Sequence, residues 1–223
     1  MYNYIVCIIN NTNSREKIKK EFMTHFTTKE QILAYFKSNP QWIAGFSNGE
    51  GSFSAYAYVD VANMWGIQFG IDFSVSQNYF DRIVLEAINE YFNCEGGVYD
   101  RTCGVSVVTF RNLHTLKHTI RPFFVEYPLI GSKSFEFERW NELVDIFHEK
   151  EHLGKTLAQR DAFLKFLAIA KELNAKRVNK RKLMKIDIMS EWLSNLKTIP
   201  TKEEKLVLKA KIKTSLIGLK SED

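Results

Sequence analysis

Two stretches of strict alternation between apolar and polar residues lie in the first half of the chain, at residues 52–60 and 66–76. A period of two over that length is typical of antiparallel strands that bury one face. A shorter pair of candidate strands follows at residues 98–103 and 105–111, on either side of Gly104. The pattern therefore predicts two β-hairpins that belong to one antiparallel sheet.

Helical periodicity, with an apolar residue every three or four positions, surrounds these hairpins. The order helix, strand pair, helix, strand pair, helix predicts an α+β fold of αββαββα type, followed by additional C-terminal helices. A cap at Thr27 or Thr28 is expected to open the second helix. The predicted helices cover residues 14–22, 28–36, 42–49, 79–92, 113–124, 135–149, 157–173, 186–196 and 202–216.

Charge is distributed unevenly along the 223 residues. The net charge is +5, yet residues 171–220 hold 14 Lys/Arg against 5 Asp/Glu, a local balance of +9 that leaves −4 for the rest. A basic C-terminal segment favours a polyanionic partner, with nucleic acid the first candidate, and a solvated helical face is the alternative. We divide the chain into an N-terminal helical extension at residues 1–40, a central domain at 41–182 and a basic C-terminal helical segment at 183–223.

The segment IAGFSNGEG, residues 43–51, combines small residues with one acid. Ala44, Gly45 and Gly49 leave backbone exposed on the predicted helix, which favours close approach by another helix. Glu50 then stands where the helix meets the sheet, and a carboxylate is a hard oxygen ligand suited to Mg²⁺. Two such helices side by side would bring two carboxylates to one site, the arrangement of two-metal phosphodiester hydrolysis. For Glu50 taken alone, an ordinary turn acid is the alternative.

The same segment resembles the LAGLIDADG motif, and PQWIAGFSNGEGSF is similar to the form found in organellar intron-encoded homing endonucleases. The later segment IRPFFVEYPLIGSKSFEF and the order of elements resemble that family as well, over residues 40–182. The resemblance implies the LAGLIDADG homing endonuclease fold, with a saddle-shaped antiparallel sheet. It also implies an Mg²⁺-dependent endonuclease that cuts both strands of a long, roughly palindromic DNA target.

The motif occurs once, so the resemblance implies a homodimer in which each subunit supplies one metal ligand. By position, the metal-binding acid of the family falls on Glu50, and its earlier acid falls on Asn48, which brings no charge. Gln77 matches a polar residue that orders water around the scissile phosphate. Lys133 resembles the active-site lysine. In the family, a basic residue often lies about one helical turn after the position of Gln77. This chain has Asp81 at that place, so the basic residue has no counterpart there.

Recognition is expected on the polar faces of the strands, because a two-stranded ribbon fits the major groove and presents side chains to base edges. An ordinary solvent face is the alternative. Phosphate contacts are expected from the basic residues after position 175. The predicted DNA-binding residues are Ser54, Tyr56, Tyr58, Asp60, Gln68, Asp72, Ser74, Tyr99, Arg101, Lys176, Arg177, Lys180, Arg181 and Lys182.

Three other functions stay open. A maturase of the same fold would bind group I intron RNA, a DNA-binding regulator would have lost cleavage, and a plain interaction protein would leave the motif unexplained. No apolar run reaches the roughly 20 residues of a membrane span, and the first ten residues lack the basic leader of a signal peptide. A location in the mitochondrion or chloroplast is implied by the resemblance only.

Overall fold

The computed structural model describes residues 28–93, 97–148, 156–173 and 180–218, with the backbone alone at 180, 181, 217 and 218. The helix predicted at residues 14–22 lies outside these ranges. The elements are α1 (Lys29–Ser38), α2 (Gln41–Glu50), β1 (Gly51–Val59), β2 (Ile67–Asn78), α3 (Arg82–Tyr91), β3 (Val98–Arg101), β4 (Val105–Phe110), α4 (Leu113–Thr115, a π-helical part Leu116–Ile120, and Arg121–Glu126), α5 (Ser132–His148), α6 (Leu157–Glu172), α7 (Lys180–Asn195) and α8 (Lys202–Gly218).

The four strands form one antiparallel sheet in the order β1-β2-β4-β3. Gly51 of β1 pairs with Val75 of β2, and Phe73 of β2 pairs with Phe110 of β4. The predicted αββαββα arrangement with additional C-terminal helices is therefore confirmed.

One face of the sheet carries the core, as the alternation predicts. Phe53 and Phe73 are fully buried there, with ring centroids 4.9 Å apart. Phe124, Phe137 and Trp140 pack around Phe53 at centroid distances between 5.3 and 5.4 Å. Each buried aromatic side chain contributes about 1.5–3 kcal/mol from its removal from water, so this cluster fixes α4 and α5 on the sheet.

The cap of α1 is at Thr28, one of the two predicted positions. Its hydroxyl accepts from the backbone N–H of Gln31 at 3.3 Å, and the Gln31 side chain accepts from the Thr28 N–H at 3.2 Å. This reciprocal pair is a capping box, which satisfies two backbone donors at the helix start.

Several predicted boundaries are wrong by two or more residues. β3 ends at Arg101 rather than at residue 103, because a turn closed by Gly104 N–H and Arg101 O takes up the next residues. α5 begins at Ser132, three residues early, so Lys133 lies in the first turn of a helix. α7 begins at Lys180, which makes part of the basic stretch helical.

The C-terminal helices brace the turn between β1 and β2. The indole of Trp65, 1% exposed, donates to Gln159 Oε1 of α6 at 2.6 Å. The indole of Trp192 in α7 donates to the Trp65 carbonyl at 3.0 Å. Side chains of α7 and α8 thus join the same apolar core as the sheet, while the proposed division into three segments stays a prediction. Within the described ranges, no helix has the length and apolarity of a membrane span.

Gly51 sits where α2 passes directly into β1, with φ −78°. A glycine is therefore needed here for space rather than for a left-handed backbone conformation. A Cβ at this position would lie 2.4 Å from the carbonyl oxygen of Ser47.

Replacement of Gly51 by alanine should lower the free energy of unfolding by about 2 kcal/mol, as overpacking commonly does. Urea denaturation followed by circular dichroism measures the change. Gly49→Ala is the matched control, because a Cβ there meets nothing within 4 Å. Equal midpoints for the two variants would contradict this account of Gly51.

Candidate functional site

α2 buries one face and leaves the other open. Ile43, Ala44 and Ser47 are buried. Gly45 and Gly49 are exposed, and a Cβ at either position would meet nothing within 4 Å. The open face is thus a strip of bare backbone at Gly45 and Gly49 to which a second helix has access. The prediction that Ala44 shares this face is wrong, because Ala44 lies on the buried side of α2.

The rings of Trp42 and Phe46 border this strip. They are stacked at a centroid distance of 5.0 Å, and Trp42 remains 37% exposed. Phe36 of α1 also stacks on Trp42, at a centroid distance of 5.0 Å. One edge of the open face is therefore apolar, and Phe36 of α1 packs against it.

Glu50 is the last residue of α2 and is exposed. The C-terminal end of a helix carries partial negative charge, which favours a cation. The exposed carboxylate adds a full negative charge and hard oxygen donors, so the donor chemistry fits Mg²⁺. Among the described residues, no three His, Cys, Asp or Glu side chains form a metal-binding group.

Lys133 reaches the residue next to Glu50. Its ammonium donates to the Gly51 carbonyl at 2.7 Å and to Glu136 Oε2 at 3.0 Å. The side chain is only 4% exposed. The lysine therefore ties the first turn of α5 to the α2–β1 junction, with its charge balanced by Glu136. Glu136 was missed by the sequence reasoning, although its i, i+3 spacing from Lys133 becomes a signal once the helix is known.

Asn48 makes a second contact between these elements. Its Oδ1 accepts from the backbone N–H of Ile130 at 3.0 Å. Asn48, which stands where the family has its earlier acid, therefore binds the backbone of the loop before α5.

Gln77 lies near the end of β2. Since Gly51 pairs with Val75, Gln77 is two residues beyond the last pairing with β1, at the sheet end where α2 terminates. It pairs instead with Ser106 of β4, and its Oε1 accepts from the Asn78 N–H at 2.8 Å. The structure therefore brings Gln77, Glu50 and Lys133 to one end of the sheet.

Arg82, the first residue of α3, is held by three acceptors. Its guanidinium donates to Glu86 at 2.8 Å, to Asp100 at 2.6 Å and to the Val98 carbonyl at 2.6 Å. Hydrogen bonds from Ser106 and then Arg82 lower the pKa of Asp100. These bonds fix α3 to β3, which leaves Arg82 little freedom to contact a ligand.

The polar strand face gathers the predicted recognition residues from both hairpins. Tyr56 and Tyr58 are exposed and stacked, with centroids 6.4 Å apart. Tyr99 is 40% exposed, and its hydroxyl lies 2.9 Å from Thr109 Oγ1. The cross-strand pairs place Ser54 beside Asp72, Tyr58 beside Gln68, Ser74 beside Thr109 and Arg101 beside Val105.

Tyr56 also covers its cross-strand neighbour Gly70. A Cβ at Gly70 would lie 2.2 Å from the tyrosine ring. The ring therefore rests directly on the backbone of β2, and this burial raises the pKa of the Tyr56 hydroxyl.

Two predicted recognition residues are engaged within the chain. Asp60 follows the end of β1, and its Oδ1 accepts from the Ala62 N–H at 3.0 Å. Gln68 accepts from Asn63 Nδ2 at 2.7 Å and donates to the Phe69 carbonyl at 3.0 Å. Both side chains therefore help to shape the β1–β2 turn.

Asp72 lies in the middle of the polar face with two cations around it. Arg111 Nε is 3.7 Å from its carboxylate and 61% exposed, and the charge of Lys182 also acts on it. Burial nevertheless dominates and raises the pKa of Asp72. Arg111 was missed by the sequence reasoning, although the alternation of β4 continued past Thr109 places it on this face.

The predicted basic contacts are only partly described. Lys176 and Arg177 lie outside the described residues, and the side chains of Lys180 and Arg181 are not described. Lys182 is partly buried, which lowers the pKa of its ammonium, while the charge of Asp72 raises it. The structure therefore brings Lys182 to the polar face.

Replacement of Asp72 by asparagine should stabilise the protein at neutral pH. Because the folded state raises the pKa of Asp72, its ionised form costs stability above that pKa, and the cost vanishes as pH falls below the ordinary carboxyl value. Urea unfolding across pH should show the advantage of the variant shrinking toward acid. Asp100→Asn, whose carboxyl pKa is lowered, should show the opposite sign, and a constant advantage would contradict burial as the cause.

The protein-family model described as LAGLIDADG endonuclease matches residues 43–144 of this chain. The chain is similar to "Probable intron-encoded endonuclease 2" of Neurospora crassa, 26% identical over 139 residues, which are 62% of this chain and 28% of that protein. It is similar to "Probable intron-encoded endonuclease aI3" of Dictyostelium citrinum, 28% identical over 56% of this chain and 46% of that protein. The chain thus spans less than half the length of these relatives.

Solved structures show the same architecture. The homing endonuclease I-TnaI superposes with a TM-score of 0.60 at 26% identity, over 70% of this chain and 97% of that chain. The I-LtrWI LAGLIDADG homing endonuclease bound to target DNA gives a TM-score of 0.57 at 30% identity, over 63% of this chain and 45% of that chain.

Proposed function

Because residues 43–144 of this chain match the LAGLIDADG endonuclease family model, we propose that the protein is a homing endonuclease, a site-specific enzyme that hydrolyses both strands of a DNA target. The observation that carries the proposal is the position of Glu50. Its carboxylate is exposed at the end of a helix whose open face is a glycine strip, so a second copy of that helix has access beside it.

Pairing of two α2 helices supplies what one chain lacks. Each chain offers one Glu50, and two-metal hydrolysis needs carboxylates from both sides of the cleavage site. The two-fold axis of such a homodimer would pass between the helices, and the target would be roughly palindromic because the two half-sites follow that symmetry.

The polar strand face is the proposed DNA-binding surface. It presents Tyr56, Tyr58, Tyr99 and Arg101 to solvent, and a two-stranded ribbon is of a size that the major groove admits. I-SmaMI, a LAGLIDADG homing endonuclease similar to this chain at 26% identity, is known bound to cleaved DNA.

Catalysis would rest on residues at the sheet end. Glu50 would hold Mg²⁺, which when bound acidifies a water and neutralises charge on the phosphate. Gln77 would orient water through its amide. Lys133 would act from the α2–β1 junction, which it holds in place because its ammonium is fixed at the Gly51 carbonyl. These roles, like the organellar location implied by the resemblance, are predictions.

The experiment incubates the purified protein with the intronless form of its insertion sequence, with and without Mg²⁺. A homing endonuclease gives a double-strand break that depends on Mg²⁺ and is lost with a chelator. Tight sequence-specific DNA binding without a break under any divalent metal would indicate an inactive binder. Selective binding of group I intron RNA without DNA cleavage would indicate a maturase.

A further inference from the structure

α8 carries a row of lysines along one face. At 3.6 residues per turn, spacings of three, four and four residues keep all four side chains within about 80° of one another. Three of the four are exposed. We refer to them together as the lysine row: Lys202, Lys205, Lys209 and Lys213.

Acidic side chains are kept away from this row. Glu204 is engaged in capping the helix, where it accepts from the Thr201 N–H at 2.7 Å. Lys211, on a different face, pairs with Glu191 of α7 at 2.8 Å. In the described part of the chain, no carboxylate forms an ion pair with a member of the lysine row, so its positive charge stands uncompensated toward solvent.

The lysine row contacts the tip of the first hairpin through Lys205. A Cβ at Gly66, in the β1–β2 turn, would lie 3.0 Å from Cγ of Lys205, so the lysine stem covers that glycine. Leu208 and Ile212 anchor α8 in the core, and the Trp192–Trp65 hydrogen bond holds α7 to the same turn. The lysine row therefore lies against the end of the first hairpin, next to the polar strand face.

We propose that the lysine row binds backbone phosphates of duplex DNA flanking the base-contacted target. This inference rests on the proposed function and on the contact of the row with the first hairpin through Lys205. From Lys202 to Lys213 the helix rises about 16 Å at 1.5 Å per residue. That length matches about five nucleotides of one strand at 3.4 Å each. Lysines act on phosphates as point charges, so such contacts would be independent of sequence.

The test measures the dissociation constant as a function of salt for two duplexes. The short duplex ends at the outermost base pair whose substitution weakens cleavage, and the long duplex adds one helical turn at each end. The test variant is Lys209→Gln/Lys213→Gln. The matched control is Lys37→Gln/Lys165→Gln, which removes the same charge from exposed positions of α1 and α6.

On the long duplex, the slope of the logarithm of the binding constant against the logarithm of the salt concentration should be less steep for the test variant, by about 3.6. Each of the two subunits gives up two phosphate contacts, at about 0.9 per contact. On the short duplex it should match the wild type, and the control should keep the wild-type slope on both. Lys209→Arg/Lys213→Arg should restore the slope, which separates lost charge from a misfolded helix.

An unchanged slope for the test variant on the long duplex would overturn the inference, as would an equal loss on both duplexes. Either result would leave cleavage of the short duplex, and with it the proposed function, intact. A wild-type protein that binds neither duplex would overturn the proposed function and this inference together.

Discussion

Glu50→Gln should abolish strand cleavage while the target remains bound. The amide keeps the size of the side chain but removes the charge and one strong oxygen donor for the metal. We expect the single-turnover cleavage rate to fall by about 10³-fold or more, which corresponds to about 4 kcal/mol of lost transition-state stabilisation. The fold should be unaffected, because Glu50 is exposed.

Cleavage is followed on a labelled target under excess enzyme, and binding is followed by gel shift in Ca²⁺. Glu138→Gln, an exposed acid of α5, is the control and should cut at the wild-type rate. If Glu50→Gln cuts as fast as the wild type, the carboxylate is not the metal ligand and the mechanism proposed above fails.

Gly45→Leu should separate stability from activity. The added side chain meets nothing within the chain, since a Cβ at Gly45 has no atom within 4 Å. Leucine also favours a helix over glycine by about 0.8 kcal/mol, so the variant monomer should be at least as stable as the wild-type monomer when both are measured at a concentration where the wild-type dimer is dissociated. The same side chain would stand in the path of a second α2 helix.

We therefore expect the dimer dissociation constant to rise by about 100-fold or more, about 2.7 kcal/mol, and double-strand cleavage to be lost with it. Sedimentation velocity gives the association state, and the cleavage assay gives the activity. Ala168→Leu, at an exposed position of α6, should change neither. If the Gly45→Leu protein remains a fully active dimer, the subunit interface does not involve the open face of α2.

The strands and most of the helices could be predicted from the sequence, because burial of one face imposes a period that a single chain reveals. The first turn of α5 could not. Its apolar periodicity begins at Phe135, whereas the turn that carries Lys133 is polar. The prediction therefore left Lys133 ahead of the helix.

The contacts at the junction of α2 and β1 lie beyond any local pattern. Asn48 with Ile130 and Lys133 with Gly51 are each separated by 82 residues in the sequence. Alternation likewise placed polar residues on the correct strand face but could not show which ones the chain itself uses. Gln68 is occupied by internal hydrogen bonds, whereas Arg111, absent from the predicted set, stands exposed on that face.

The tyrosine ring that lies on Gly70 links two positions of the polar strand face. Any attempt to retarget the protein by introducing a side chain at position 70 would push Tyr56 out of its place, because no room exists beneath the ring. Conversely, a smaller residue at position 56 would uncover backbone in the centre of the sheet. The two positions therefore form a single unit of specificity, and selection libraries that vary them jointly should yield functional variants where libraries that vary position 70 alone do not.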